Sequence, residues 1–414
     1  MRLLVWCSVL FLAAVSGVPD AGAQSSAGWR TCRTAPTKSC IFTEAVQRAR
    51  DDAPSRDLPR YGVWESSLYV RLSEIAEAKK DRALFAEAKR LVDSRKVLQS
   101  ARDKAMGTIA EAEARAGFAD DAARTIEGIP DPGPAPATVA VALFRAGQAA
   151  EARRVIERTE SASARTWAWI RLARATRDPA WLSRATETLR NIEDAYEHSS
   201  QSRHLAVAQA DLGLADHALR TIRDIGMRAY EALALTEIAT LTGNSDHLAR
   251  AKRRATGLSG SPLDVDVWRS IVRTEIAFGR LNDALRTLRR SELEAQAGTL
   301  ADDAGELAAA YWIKEGPKKA EAVLNEVLTG YAERFWGAAR YALAIGLADA
   351  GRFDSALLMA FINDEANVDW ALAHIAVKQA QVHAFADALD TADKIKDPGA
   401  RSPALAKVAA MLPD

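Results

Sequence analysis

Two stretches of the chain decide its fold, because they repeat one pattern. Residues 205–222 read LAVAQADLGLADHALRTI, and residues 271–288 read IVRTEIAFGRLNDALRTL. In each, an apolar residue stands eight positions before a glycine, an alanine five positions after it, and a large apolar residue four positions further on. Apolar residues at helical spacing on both sides of a glycine predict two amphipathic helices joined by a tight turn.

The same pattern recurs along most of the chain. Its turn centres are Gly117, Gly147, Gly213, Gly243, Gly279 and Gly351, with weaker copies at Arg177, Gly316 and His383. Successive centres lie 30 to 37 residues apart. A helix hairpin of this length buries too little apolar surface to fold alone, so each hairpin must stack on its neighbours. The sequence therefore predicts an all-α stack of roughly 8–10 helix hairpins over residues 62–414.

This pattern resembles the tetratricopeptide repeat over residues 100–411. The shared features are the period, the apolar residue eight positions before the glycine, and the alanine and large apolar residue after it. Asp-Pro pairs at residues 131–132 and 397–398 also stand where that family often places a terminating proline. The resemblance implies a right-handed superhelix in which the first helix of each hairpin lines the concave surface.

The resemblance also implies a set of groove residues. Positions ten and six before each turn centre would point into the concave surface. In the central units these positions include Trp167, Arg171, Arg203, Glu237, Arg269 and Arg273. Arginine and tryptophan are favoured at binding hot spots, and arginine binds carboxylates through two hydrogen bonds. We therefore expect a groove for an extended or acidic peptide.

The start of the chain is typical of a secretory signal peptide. A positive charge at Arg2 precedes the apolar run Leu3–Val18, and Ala21-Gly22-Ala23 forms a small-residue cleavage site. The sequence predicts that residues 1–23 are removed by cleavage after Ala23 and that the mature protein is periplasmic or secreted. No later apolar run is long enough to cross a bilayer.

Two cysteines remain after this cleavage, Cys32 and Cys40. An even number of cysteines in an oxidising compartment favours a disulfide, here closing a short loop. Residues 24–61 lack a clear helical period over most of their length. We therefore predict an N-terminal extension or cap that carries this disulfide.

The composition and the motifs limit the classes of function that the sequence fits. The chain has 55 Lys and Arg against 55 Asp and Glu, whereas nucleic-acid binding rests on an excess of positive charge. The sequence contains no metal-binding, nucleophile or phosphate-binding motif, so we expect no cofactor. Glu65-Ser66-Ser67 echoes the Glu-Ser-Ser of lytic transglycosylases, but the Gly-Leu-Met-Gln-like segment that such enzymes need is absent.

These observations favour a non-catalytic scaffold of the cell envelope that binds an unidentified protein or peptide through its concave face. Two alternatives remain open at the level of the sequence. One is a regulatory or inhibitory envelope subunit, which needs the same binding surface. The other is a glycan- or cell-wall-acting enzyme with a helical superhelix, which needs two carboxylates facing each other across a cleft.

Overall fold

The computed structural model of the protein describes most of the predicted helical region. The described residues are 29, 32, 34–51, 68–94, 99–130, 132–258, 261–289, 297–362 and 365–413. This part of the chain contains 22 helices with defined bounds and no strand, which confirms the all-α class. The predicted signal peptide, residues 1–23, and Glu65 lie outside the described residues.

The helices form ten consecutive hairpins between two single helices. Helix α1 (Lys38–Asp51) comes first. The hairpins are α2 (Leu68–Lys79) with α3 (Arg82–Asp93), α4 (Gln99–Arg115) with α5 (Ala119–Ile126), α6 (Ala135–Arg145) with α7 (Ala149–Arg158), α8 (Ala162–Thr176) with α9 (Ala180–Leu189), α10 (Ala195–Asp211) with α11 (Ala215–Arg223), α12 (Arg228–Thr242) with α13 (Ser245–Ala255), α14 (Pro262–Ala277) with α15 (Leu281–Leu288), α16 (Ala297–Glu315) with α17 (Pro317–Leu328), α18 (Glu333–Asp349) with α19 (Phe353–Phe361), and α20 (Glu365–Gln381) with α21 (Phe385–Asp393). Helix α22 (Pro398–Met411) comes last.

The predicted turn centres are confirmed by the backbone. All nine have a positive φ, including the two that are not glycine, Arg177 at 56° and His383 at 64°. Lys80 has the same conformation and closes one further hairpin, α2 with α3. A non-glycine residue pays a steric cost in this conformation, so the packing of the two flanking helices must hold it there.

The hairpins stack so that their two helices form separate layers. Each first helix of a hairpin packs against its own second helix and against the first helix of the next hairpin. In the described part of the chain, the second helices pack on first helices and not extensively on one another. The first helices therefore form an inner layer, and the second helices splay apart outside it.

The two ends of the stack meet, a feature that the sequence did not predict. Helix α22 packs against α20, which precedes it in the stack, and also against α1 and α2 at the other end of the chain. Helix α1 thus acts as the second helix of α22 and completes an eleventh unit. The described helices form a closed ring in which each first helix, from α2 to α22, contacts the first helix on either side.

The segment before α1 is anchored at this junction. Trp29 is 1% exposed, and its Nε1 donates a hydrogen bond to Asp393 Oδ1 at 2.9 Å. The guanidinium groups of Arg48 and Arg401 each lie 5.7 Å from the centre of the Trp29 ring. The predicted disulfide is confirmed, because Cys32 and Cys40 are bonded with an S–S distance of 2.07 Å. It ties the Trp29 segment to α1.

A polar side-chain contact repeats between the two helices of several hairpins. A threonine eight positions after the turn centre donates to a side chain four positions before it. The pairs are Thr125 with Glu113 at 2.6 Å, Thr221 with Gln209 at 2.8 Å, and Thr287 with Glu275 at 2.8 Å. The acceptor residue of each pair is buried and its hydrogen bond is satisfied, so each pair favours a single register between its two helices.

The usual spacing of packed helices gives an estimate of the room inside the ring. In the described part of the chain, no helix crosses the inside of the ring. Adjacent helices pack about 8–10 Å apart and are about 10–12 Å wide, so eleven first helices in a circle leave an opening of roughly 20 Å. An opening of that size admits an extended polypeptide or a single helix.

Candidate functional site on the inner face of the ring

The predicted groove residues lie on four first helices that are neighbours in the ring, α8, α10, α12 and α14. We call the solvent-facing side of the first helices the inner face. A depression of about 300 Å³ crosses these four helices. Its lining residues are Arg174, Val207, Glu237, Thr240, Leu241, Ser270, Arg273 and Thr274. Two predicted residues, Glu237 and Arg273, are therefore part of one surface.

Trp167 and Arg171 lie together on α8. Arg171 is exposed, and its guanidinium carbon lies 5.6 Å from the centre of the Trp167 ring. The Trp167 ring also contacts the His204 ring of α10, with centroids 4.6 Å apart. Trp167 is therefore fixed from the neighbouring helix, and Arg171 rests against its ring in a cation–π contact.

His204 is an uncharged support for this cluster. Burial lowers its pKa to about 4, and the positive charges of Arg203 and Arg174 act in the same direction. Arg203 Nη2 lies 3.1 Å from His204 Nε2. Because arginine can only donate, His204 Nε2 accepts this hydrogen bond and the neutral tautomer carries its proton on Nδ1.

Arg203 and Glu237 form an ion pair between α10 and α12. Arg203 Nη1 lies 3.3 Å from Glu237 Oε1, and its guanidinium also lies 5.8 Å from the centre of the Tyr230 ring. Burial raises the pKa of Glu237, although Arg203 and Arg174 act to lower it. The resemblance implied that both side chains face a ligand. In the structure they instead pair with each other.

Arg269 and Arg273 are paired with α16. Arg269 Nε donates to Asp303 Oδ2 at 2.9 Å, and Arg273 binds both carboxylate oxygens of Glu306 at 2.8 and 3.1 Å. Arg273 Nη2 also lies 3.3 Å from Asp303 Oδ1. These two arginines hold neighbouring helices together, so their charge is compensated before any ligand arrives.

Asp303 is the most perturbed carboxyl group of this cluster. Its side chain is 0% exposed, and burial raises its pKa to about 6 against the opposing effects of Arg269 and Arg273. Burial also acts to lower the pKa of Arg269, but Asp303 outweighs it and the pKa of Arg269 is raised. Arg269 therefore stays charged over the whole physiological range, and the carboxyl group is the partner that titrates.

Sequence reasoning missed the acidic partners on α16. Applying the rule of ten positions before the turn centre to Gly316 leads to Glu306, so this residue was accessible from the sequence. Asp303 is not ten or six positions before a turn centre, so the repeat pattern does not single it out. Asp211 was missed for the same reason; it pairs with Arg174 at 2.9 Å and with Arg177 at 3.1 Å.

Metal-ligand clusters and membrane-spanning helices are two further features that would indicate a function. Among the described residues, no group of three or more His, Cys, Asp or Glu side chains is placed to hold a metal ion. Within the same residues, no helix is long and apolar enough to cross a bilayer.

Comparisons with known proteins add little to this geometry. No family model matches the chain, and no curated protein matches it. A solved structure with a detectable match is the crystal structure of Ton1535 from Thermococcus onnurineus NA1, which is 14% identical. The match covers 81% of this chain and 99% of that chain, with a TM-score of 0.25, too low to carry an argument about fold or function.

Proposed function

We propose that this protein is an exported, non-catalytic binding protein, similar to the tetratricopeptide family, that holds a segment of another protein on the inner face of its ring. One observation carries the proposal. Four adjacent first helices present the half-buried Trp167 and exposed apolar and arginine side chains on one side, with a depression across them. Such surfaces are typical of stacked helical repeats that bind extended chains.

The export part of the proposal rests on two separate features. The sequence begins with a signal-peptide pattern that ends at Ala23, and Cys32 and Cys40 form a disulfide. Structural disulfides persist in oxidising compartments and are rare in the cytosol of most organisms. Both features favour the periplasm or the extracellular space.

The binding part of the proposal follows from how the inner-face charges are arranged. The carboxylates of Glu237, Asp303 and Glu306 are each held by an arginine of a neighbouring helix. Carboxylates that are paired with arginines in this way fix the shape of the surface between neighbouring helices. A mixed surface of this kind fits a protein segment better than a polyanion such as a nucleic acid.

Site-specific photo-crosslinking tests the proposal. A photoreactive phenylalanine analogue would replace Leu241 on the inner face, which is 47% exposed, or Leu358 on the outer helix α19, which is 55% exposed. Each mature protein, from Gln24 onward, would be irradiated in envelope extract and its adducts identified by mass spectrometry. We expect one recurrent protein adduct from position 241 and none from position 358.

A second variant links the adduct to the site. Trp167→Ala should suppress the adduct from position 241 if the inner face binds the partner, provided that its melting temperature stays close to that of the parent. An adduct from position 358 alone would move the binding surface to the outside of the ring. The absence of any specific adduct from a folded parent would overturn the proposal.

A further inference from the structure

Arg171 differs from the other three arginines predicted for the groove. Arg203, Arg269 and Arg273 each lie within 3.3 Å of a carboxylate oxygen on a neighbouring helix. Arg171 is exposed and, among the described residues, has no carboxylate within ion-pair distance; its guanidinium lies against the ring of Trp167. At longer range its charge acts on Glu111, where burial raises the pKa of the carboxyl group and Arg171 opposes that rise. Its charge is therefore available to a ligand at no cost in broken ion pairs.

The side chain of Arg171 is restricted in position before any ligand binds. The Trp167 ring beneath it contacts His204, which burial keeps uncharged and which accepts a hydrogen bond from Arg203. A flat ring held between two helices restricts the arginine side chain that lies against it. Less conformational entropy is then lost when a ligand binds, which increases affinity.

The surroundings of Arg171 on the inner face are apolar at close range and acidic further away. Val141 and Val207 occupy the same position, six before the turn centre, on the helices to either side of α8. Glu111 and Glu237 occupy it one helix further out. A ligand carboxylate placed at Arg171 thus meets a positive charge flanked by apolar side chains, and acids at other points would be repelled.

The depression described above begins one helical turn from Arg171. Arg174 lines it and is three residues along the same helix, where side chains share a face. Val207 and Leu241 supply its apolar lining, and Leu241 is one of the most exposed large apolar residues of the described chain. A side chain that follows the carboxylate-bearing residue can therefore be buried against Val207 and Leu241.

We infer that Arg171 and Trp167 form the anchor for an acidic residue of a bound peptide segment, with an apolar residue beside it entering the depression between α8 and α14. This inference rests on the proposed function and adds the chemistry of the ligand. Arginine binds such a carboxylate by charge-assisted hydrogen bonds, and burial of the apolar neighbour adds affinity.

The site fits a peptide better than a small free carboxylate. Arg171 is exposed and the depression is shallow, so a small acid would keep most of its surface in water. Ligands of that size are normally held in concave sites that bury most of their surface. A peptide gains contacts along several helices of the inner face and needs only one anchor at Arg171.

Selection from a phage-displayed library of random dodecapeptides tests the inference on the intact mature protein. We expect enriched sequences to share Asp or Glu next to an apolar residue when the parent is the bait. With Arg171→Gln as bait, the acidic preference should disappear. With Arg177→Gln, an exposed arginine of the same region that pairs with Asp211, it should remain.

Affinity measurements then identify the interaction that is lost. In fluorescence anisotropy with the enriched peptide, replacing its acidic residue by the amide should weaken binding by about tenfold or more, as expected for a hydrogen bond to a charged group. The same replacement should have no further effect on the Arg171→Gln variant. Equal melting temperatures would show that the variant is folded.

Three other results would overturn the inference. Peptides that are enriched without an acidic residue, or whose binding ignores Arg171→Gln, would overturn the inference while leaving the proposed function standing. No enrichment on the folded parent would overturn both. Competition by N-acetylaspartate as strong as by the peptide would show a small-carboxylate site and would also overturn the inference.

Discussion

Two junctions of the ring are held together by different interactions, one by apolar packing and the other by ion pairs. The closing junction joins α22 to α1 and α2, from the two ends of the chain. The charged junction joins α14 to α16. Ile41, Leu72 and Leu405, from the three helices of the closing junction, are fully buried in one core cluster. In the described part of the chain, α14 and α16 pack less extensively than any other pair of neighbouring first helices.

The charged junction compensates for this sparse packing with polar contacts. Arg269 and Arg273 of α14 reach Asp303 and Glu306 of α16, and beside them Tyr311 of α16 donates to Asn282 Oδ1 of α15 at 2.7 Å. A buried ion pair contributes little net stability unless both partners are well hydrogen-bonded, and it responds to pH. The comparison indicates that apolar contacts close the ring and that the charged junction is the one that solution conditions can weaken.

The largest effect is expected at the closing junction. Trp29→Ala should lower the free energy of unfolding by about 3–5 kcal/mol, the usual cost of removing a large buried aromatic side chain. The hydrogen bond to Asp393 and the contacts with Arg48 and Arg401 are lost with it. Urea unfolding followed by circular dichroism measures the change. A loss below about 1 kcal/mol would mean that Trp29 does not hold this junction.

The next effect is expected at the charged junction. Arg269→Met should cost about 3 kcal/mol at pH 7, because the buried Asp303 carboxyl group loses its principal partner and must take up a proton or stay charged beside Arg273 alone. Arg273→Gln is the matched control on the same helix. Arg273 is about half exposed and pairs most closely with the partly exposed Glu306, while its contact with Asp303 Oδ1 is longer at 3.3 Å, so its loss should cost less than the loss of Arg269. Equal losses in the two variants would contradict the distinction between buried and exposed pairs.

Removal of the disulfide tests the closing junction in another way. The double variant Cys32→Ser/Cys40→Ser should lose about 2–3 kcal/mol, the chain-entropy value for a loop this short. The near-ultraviolet signal of the tryptophans and limited proteolysis near residue 29 would show whether Trp29 leaves its site. Proteolysis near Arg289, at the end of α15, should not increase, and an increase there would show that the two junctions are coupled.

The smallest effect is a dependence on pH at the charged junction. The pKa of Asp303 is raised to about 6, so the folded protein binds a proton more tightly than the unfolded chain does. The stability from this group is therefore present at low pH and is lost as the pH rises through about 6. Between pH 7 and pH 5 the parent should gain about 1 kcal/mol relative to Asp303→Asn.

The comparison with Asp303→Asn is needed because other groups titrate nearby. Burial raises the pKa values of Asp302, Glu111 and Glu237, which adds stability at low pH in the same way. The pKa of His204 is lowered to about 4, which has the opposite sign and removes stability as the pH falls from 6.5. A parent and variant with parallel pH profiles would show that Asp303 does not titrate in this range.

The hairpins were largely predictable. A turn centre such as Gly213 and the apolar residues around it interact within one hairpin, so their pattern is local in the sequence. Trp167 and Arg171 were found by the same local rule and lie together on α8. The choice of positions ten and six before the turn centre was less informative for Arg203 and Arg269. It predicts the direction of a side chain but not the carboxylate with which that side chain pairs.

The sequence by itself determined the helical class, the turn positions and the disulfide, since each depends on residues that are close along the chain. Only the tertiary structure decided that the stack closes. Trp29 and Asp393 are 364 residues apart, and nothing in either stretch specifies the other. The curvature of the whole stack brings them together, because small angles between neighbouring hairpins add up over eleven units. The tertiary structure also decided which of the predicted arginines are paired, because each partner lies on the next hairpin, 33 or 34 residues further along the chain.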